Sequence, residues 1–112
     1  MLFLFGTRPP EVAIKQGLCN DLSEETGNMI ANSFVPESKG LYLEACKSPI
    51  PNVPSIYIRL TNDNELDIQM QDTMMYILNP KQTASIKSGH LPMKSKPVEL
   101  ANIINKFVSS LR

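Results

Sequence analysis

The sequence has no tryptophan, one histidine, two cysteines and five glycines among its 112 residues. Each scarcity excludes something. A lone histidine does not supply the paired imidazoles of a common zinc site. Two cysteines are too few for a disulfide-built scaffold, so Cys19 and Cys46 read as free thiols that pack like small apolar groups. Eleven basic residues balance eleven acidic ones, and a chain without net charge is not a general polyanion coat. Long apolar runs are missing too. Met1-Leu2-Phe3-Leu4-Phe5 is shorter than a signal-peptide core, and no window approaches the ~18 apolar residues of a membrane helix. The expectation is a soluble, cytoplasmic protein with no membrane partner.

What is present points to a folded domain. Hydrophobic residues make up 42% of the chain, enough for a core in one domain spanning residues 1–112. Nine prolines cut that domain into pieces. Leu2 to Phe5 reads as a short strand buried on both faces. After the turn Gly6-Thr7-Arg8-Pro9-Pro10, Ile14, Leu18 and Leu22 form the stripe of a helix opening near Pro10. Asp21-Leu22-Ser23-Glu24 has the form of a capping box, with Ser23 as a second cap candidate, so a second helix begins there, with Met29, Ile30 and Phe34 as its apolar face and Pro36 as its stop.

From residue 41 the apolar period shortens to two. Leu41, Leu43 and Ala45 read as one face of a strand, and the proline-rich Ser48–Pro54 segment reads as loop. Ile56, Ile58 and Leu60 alternate with Tyr57 and Arg59. Beyond a polar turn, Leu66, Ile68 and Met70 alternate with Asp67 and Gln69. This pattern predicts an antiparallel hairpin, with Thr73–Leu78 as a third meander strand. Residues 81–95 read as irregular, with at most a short strand near Ala84–Lys87. Leu100, Ile103, Ile104, Phe107, Val108 and Leu111 then predict a C-terminal helix entered at Pro97. The predicted fold class is α+β: an antiparallel sheet of four to five strands packed against the N-terminal helical segment and the C-terminal helix.

No complete catalytic or metal constellation stands out, and no cofactor is implied. His90, in Ser88-Gly89-His90-Leu91-Pro92, has no second histidine and no nearby cysteine, and Ser88 is not in a G-x-S-x-G elbow. It reads as a solvated loop histidine. Asp63, Glu65, Asp67 and Asp72 form an acidic cluster without the glycine and terminal glutamate of a calcium loop, and they read as the solvated edge of the hairpin. Lys81, Lys87, Lys94 and Lys96 lie in a stretch with no acid. The zero total charge therefore hides two local patches of opposite sign.

Residues 5–15 carry one resemblance. Phe5-Gly6-Thr7-Arg8-Pro9, then Glu11 and Ala13-Ile14-Lys15, resembles the opening of the UDP-N-acetylglucosamine 2-epimerases, a strand, an FGTRPE loop and a helix beginning AIK, in which the loop helps line the nucleotide-sugar cleft. Pro10 and Val12 depart from that pattern. The family's paired Rossmann-like domains call for alternating βα units, which residues 41–78 do not suggest, and no activity is carried over.

The functional expectation is a small non-catalytic protein-binding module. Its specific form is an immunity protein that neutralises a bacterial toxin domain, with Asp63, Glu65, Asp67, Asp72, Lys81, Lys87, His90 and Lys94 as candidate partner-binding residues. Charge complementarity would select the partner. Two alternatives stand beside it. One is an anion or nucleotide binder using Thr7 and Arg8 in the Gly6-Thr7-Arg8 loop at a helix N-terminus. The other is a nucleic-acid contact through the Lys81–Lys96 segment, although that segment lacks the aromatic residues that base stacking uses.

Overall fold

Ile56-Tyr57-Ile58-Arg59-Leu60 combines β-branched and aromatic side chains, and it forms strand β1, Ile56–Leu60. The computed structural model describes residues 6–112. The proposed strand at Leu2–Phe5 lies outside them. Before β1 come helices α1 (Glu11–Leu18), α2 (Glu24–Ser33) and the one-turn α3 (Gly40–Leu43). After it come α4 (Ile68–Leu78), strand β2 (Gln82–Ile86), the one-turn α5 (Pro92–Ser95) and α6 (Pro97–Ser110).

The fold is α+β, but its sheet corrects the expectation of four to five antiparallel strands. Among the described residues the sheet has two strands, and they run parallel, in register from Ile56 opposite Gln82 to Leu60 opposite Ile86. In place of the supposed hairpin partner at residues 66–70 and the supposed meander strand at 73–78 stands one crossover helix, α4, which begins at Ile68 after its cap Asp67. A parallel pair needs such a crossover, which a two-residue turn cannot supply.

The helix at 68–78 has local causes. Asp67 caps it, accepting a hydrogen bond from the Met70 N–H at 2.8 Å. Met and Gln are good helix formers. The less exposed positions, Ile68, Gln71, Met75 and Leu78, recur at helical spacing, while Tyr76 on the other side is 86% exposed. Asn79 ends the helix in the left-handed conformation at φ 49°, its N–H returning to the Met75 carbonyl, and Pro80 follows. The strand expected from Leu41 to Ala45 is also absent. Gly40–Leu43 forms a single helical turn, and Leu41, Tyr42 and Leu43 are all exposed.

Other expected elements are where the sequence puts them. α1 begins directly after Pro10, and Ser23, the second cap candidate, rather than Asp21 of the capping box, caps α2 by accepting from the Thr26 N–H. α6 starts at Pro97, and the short strand expected near Ala84–Lys87 is β2. α1 packs on α2, α4 on β1, and α6 on both β2 and α5. The most deeply buried apolar residues are Ile14, Ala31, Cys19 and Ile86. No described helix is long and apolar enough to cross a membrane.

Candidate functional site: an aspartate–histidine pair at the strand ends

Parallel strands place their C-terminal ends at one edge of the sheet, where α/β proteins commonly gather functional loops. Here the loop after β1 carries Asp63 and the loop after β2 carries His90. The backbone joins the two loops: Thr61 N–H donates to the Ile86 carbonyl and Asn62 N–H to the Ser88 carbonyl, each at 3.1 Å.

The side chains meet across that seam. His90 Nδ1 lies 2.8 Å from Asp63 Oδ2. The Asp63 side chain is 1% exposed and that of His90 is 29% exposed. Asp63 Oδ1 accepts the backbone N–H groups of Glu65 at 2.8 Å and Leu66 at 3.1 Å. Both carboxylate oxygens are thus engaged, as a buried carboxylate requires. With Asp63 ionised, the bond assigns the imidazole proton to Nδ1 and leaves Nε2 as the basic nitrogen. Among the described residues no side chain is hydrogen-bonded to His90 Nε2.

The turn between α1 and α2 braces both loops. Asp21 Oδ2 accepts the Gly89 N–H at 2.7 Å, one residue before His90. Asn20 Nδ2 donates to the Asn62 carbonyl at 2.7 Å, and Asn64 Nδ2 donates to the Gln16 carbonyl at 3.2 Å. Gly89 leaves room for this approach, since a Cβ there would run into Asn20 and Asp21. Beneath the loop, Ser88 is fully buried, and its hydroxyl bonds the Gly89 carbonyl and the Ser95 hydroxyl. It is not turned to the imidazole.

With no hairpin to edge, the remaining acids take other places, Glu65 and Asp67 staying exposed. Asp67 is the cap of α4, and Asp72 makes a two-point pair with Arg59, Nε to Oδ1 at 2.7 Å and Nη2 to Oδ2 at 3.1 Å. Glu65 is exposed. Lys81, Lys87, Lys94 and Lys96 are all exposed, spread over β2's flanks and α5 rather than over one loop. In the anion-site alternative, Arg8 donates to the carbonyls of Ala31, Phe34 and Pro9, and the Thr7 hydroxyl accepts the Glu37 N–H. That guanidinium closes the C-terminal end of α2.

Two shifted groups lie near these features. Burial pushes the Tyr57 phenol up from its ordinary value, the charges of Asp63 and Asp72 push it further, and Arg59 opposes them. Burial, followed by the Asp21 charge, raises the Cys19 thiol, with Lys15 opposing. No three His, Cys, Asp or Glu side chains among the described residues gather as a metal site. A surface concavity lined by Val53, Pro54, Ser55, Ile77 and Leu78 lies at the other end of β1, away from the pair.

Sequence reading had singled out Asp63 as a solvated acid and His90 as a solvated loop histidine, and did not join them. It passed over Asn20, Asp21 as a brace, and Gln71. One signal was available: each member of the pair lies a few residues beyond a short strand, β1 for Asp63 and β2 for His90. No protein-family model matches the chain, and neither a curated protein nor a solved structure matches it.

Proposed function

We propose that Asp63 and His90 are the carboxylate and imidazole of a general acid–base site of the hydrolytic, acyl-transfer kind. The observation that carries this reading is the 2.8 Å bond between His90 Nδ1 and a carboxylate that is 1% exposed. In such sites the buried acid holds the imidazole in one tautomer and steadies the imidazolium formed when Nε2 takes a proton. Here Asp63 is itself held by two backbone N–H groups, so His90 has one orientation in which to work.

Chain order supports the same reading. Acid first and histidine second, at the C-terminal ends of parallel strands, is the order used by α/β-class hydrolases, whose nucleophile precedes both. The analogy concerns geometry and order alone. The Nε2 atom would accept the proton of an attacking hydroxyl, thiol or water and return it to the leaving group.

The test is hydrolysis of an activated aryl ester, p-nitrophenyl acetate, by the intact chain. His90→Ala is expected to lower the catalysed rate about 100-fold or more, the usual share of a positioned general base. Asp63→Asn is expected to lower it as well, because an unanchored imidazole loses its tautomer and aim. Equal rates in the wild type and both variants would refute the reading.

A second reading, a protein-binding module of the immunity type, draws support from the exposure of Lys81, Lys87, Lys94 and Lys96, a basic surface suited to an acidic partner. Its acidic counterpart has less support, since Asp63, Asp67 and Asp72 are engaged within the fold.

A further inference from the structure

Resting on the reading of Asp63 and His90 as an acid–base pair, we infer that Gln71 is a positioning residue for that pair, holding the Asp63 loop at both ends. Gln71 lies on α4 and is 2% exposed. Its Oε1 accepts the Leu60 N–H at 2.8 Å. Its Nε2 donates to the Leu60 carbonyl at 2.9 Å and the Leu66 carbonyl at 2.8 Å. Leu60 is the last residue of β1 and Leu66 the last before the cap of α4. The residues between them are the loop that carries Asp63.

The carboxamide does here what a neighbouring strand does elsewhere. At Leu60, the N–H and C=O that face away from β2 both meet the Gln71 carboxamide, and the carbonyl also accepts the Asp63 N–H at 3.3 Å. β2 holds the same loop from the other side, through Thr61 and Asn62. Fixing the backbone at residues 60 and 66 fixes the direction in which Asp63 leaves the chain. A buried methionine would fill similar volume and make none of these bonds, leaving the Leu60 N–H and the Leu66 carbonyl to find other partners, while the Leu60 carbonyl would keep only the Asp63 N–H at 3.3 Å. A displacement of about 1 Å is enough to spoil an aligned acid–base contact.

Another contact separates this role from simple helix docking. Arg59 and Asp72 also tie β1 to α4, but outside the loop. A general loosening of α4 follows from breaking either link. A misaimed Asp63 follows from breaking the Gln71 link.

The experiment reads the imidazole tautomer by long-range ¹H–¹⁵N NMR at a pH where the ring is neutral, and His90, the single histidine, makes the assignment unambiguous. The wild type is expected to hold the Nδ1–H form. Gln71→Met is expected to lose that form to a tautomer mixture while circular dichroism still reports the fold. Arg59→Met is expected to keep it. The Nδ1–H form retained in folded Gln71→Met overturns the inference, and so does an equal loss in Arg59→Met. A wild-type spectrum lacking the Nδ1–H form overturns the acid–base reading itself, and this inference with it. If Gln71→Met does not fold, Gln71→Glu decides. It keeps the acceptor for Leu60 N–H and removes the donor to both carbonyls, so loss of the Nδ1–H form is again expected and its retention overturns the inference.

Discussion

Residues 35–54 and residues 56–90 are both rich in large apolar side chains, yet they behave in opposite ways. In the first stretch Val35, Leu41, Leu43, Ile50 and Val53 are all more than half exposed, and a single helical turn is its only regular element. In the second, every β1 position is at least half-buried, Ile86 is 1% exposed, and a strand, a helix and a second strand follow one another. Apolar content does not separate the two. Punctuation does. Pro36, Pro49, Pro51 and Pro54 deny the first stretch a continuous ladder or helix on which to line up a face. The second has its breakers only at the ends of elements: Asp67 opens α4, and Asn79 and Pro80 close it. The candidate site follows that difference. Asp63 and His90 sit on loops held by regular neighbours, which is what a narrow geometric tolerance needs.

The comparison can be broken by substitution. Ile86→Ala removes a side chain from the packed region and should cost about 2–5 kcal/mol, measured by urea unfolding. A loss below about 1 kcal/mol would mean that β2 is not anchored by that residue. Asp67→Ala removes the cap of α4 and should cost ~1 kcal/mol in the same measurement. Leu41→Ser, in the exposed stretch, should change stability by no more than about 0.5 kcal/mol. If Leu41→Ser proved as costly as Ile86→Ala, the contrast between the two regions would collapse.

Much of the local structure was legible because its signals are local. Ser23 as a cap, the helix start after Pro10, the helix from Pro97 and the strand at Ile56–Leu60 each depend on a few neighbouring residues, and each is where the sequence puts it. The crossover was misread for a physical reason. Leu66, Ile68 and Met70 alternate, but Leu66 and Met70 are also a helical pair four residues apart. So short a run fits both periods. Asp67 as a cap and the helix-forming Met and Gln residues decide for the helix, and the helix supplies the crossover that the parallel pairing of β1 and β2 requires.

The candidate site was legible as residues and not as an arrangement. Asp63 and His90 stand 27 positions apart with no motif between them. Reading residues 66–70 as a hairpin strand turned the acids toward solvent. Gln71 was invisible for a related cause: a glutamine between two presumed strands is an ordinary surface residue, whereas on α4 it faces the end of β1.

By itself the sequence determined the chain's zero net charge, its positions of punctuation, its helix caps and the apolar pattern of its first strand. These depend on residue type and on spacings of four or fewer. The tertiary structure alone decided that the strands run parallel, that their ends adjoin, and that a buried carboxylate meets the single imidazole there. Those outcomes depend on which distant backbone groups pair, and pairing across tens of residues leaves no periodic trace in a single chain.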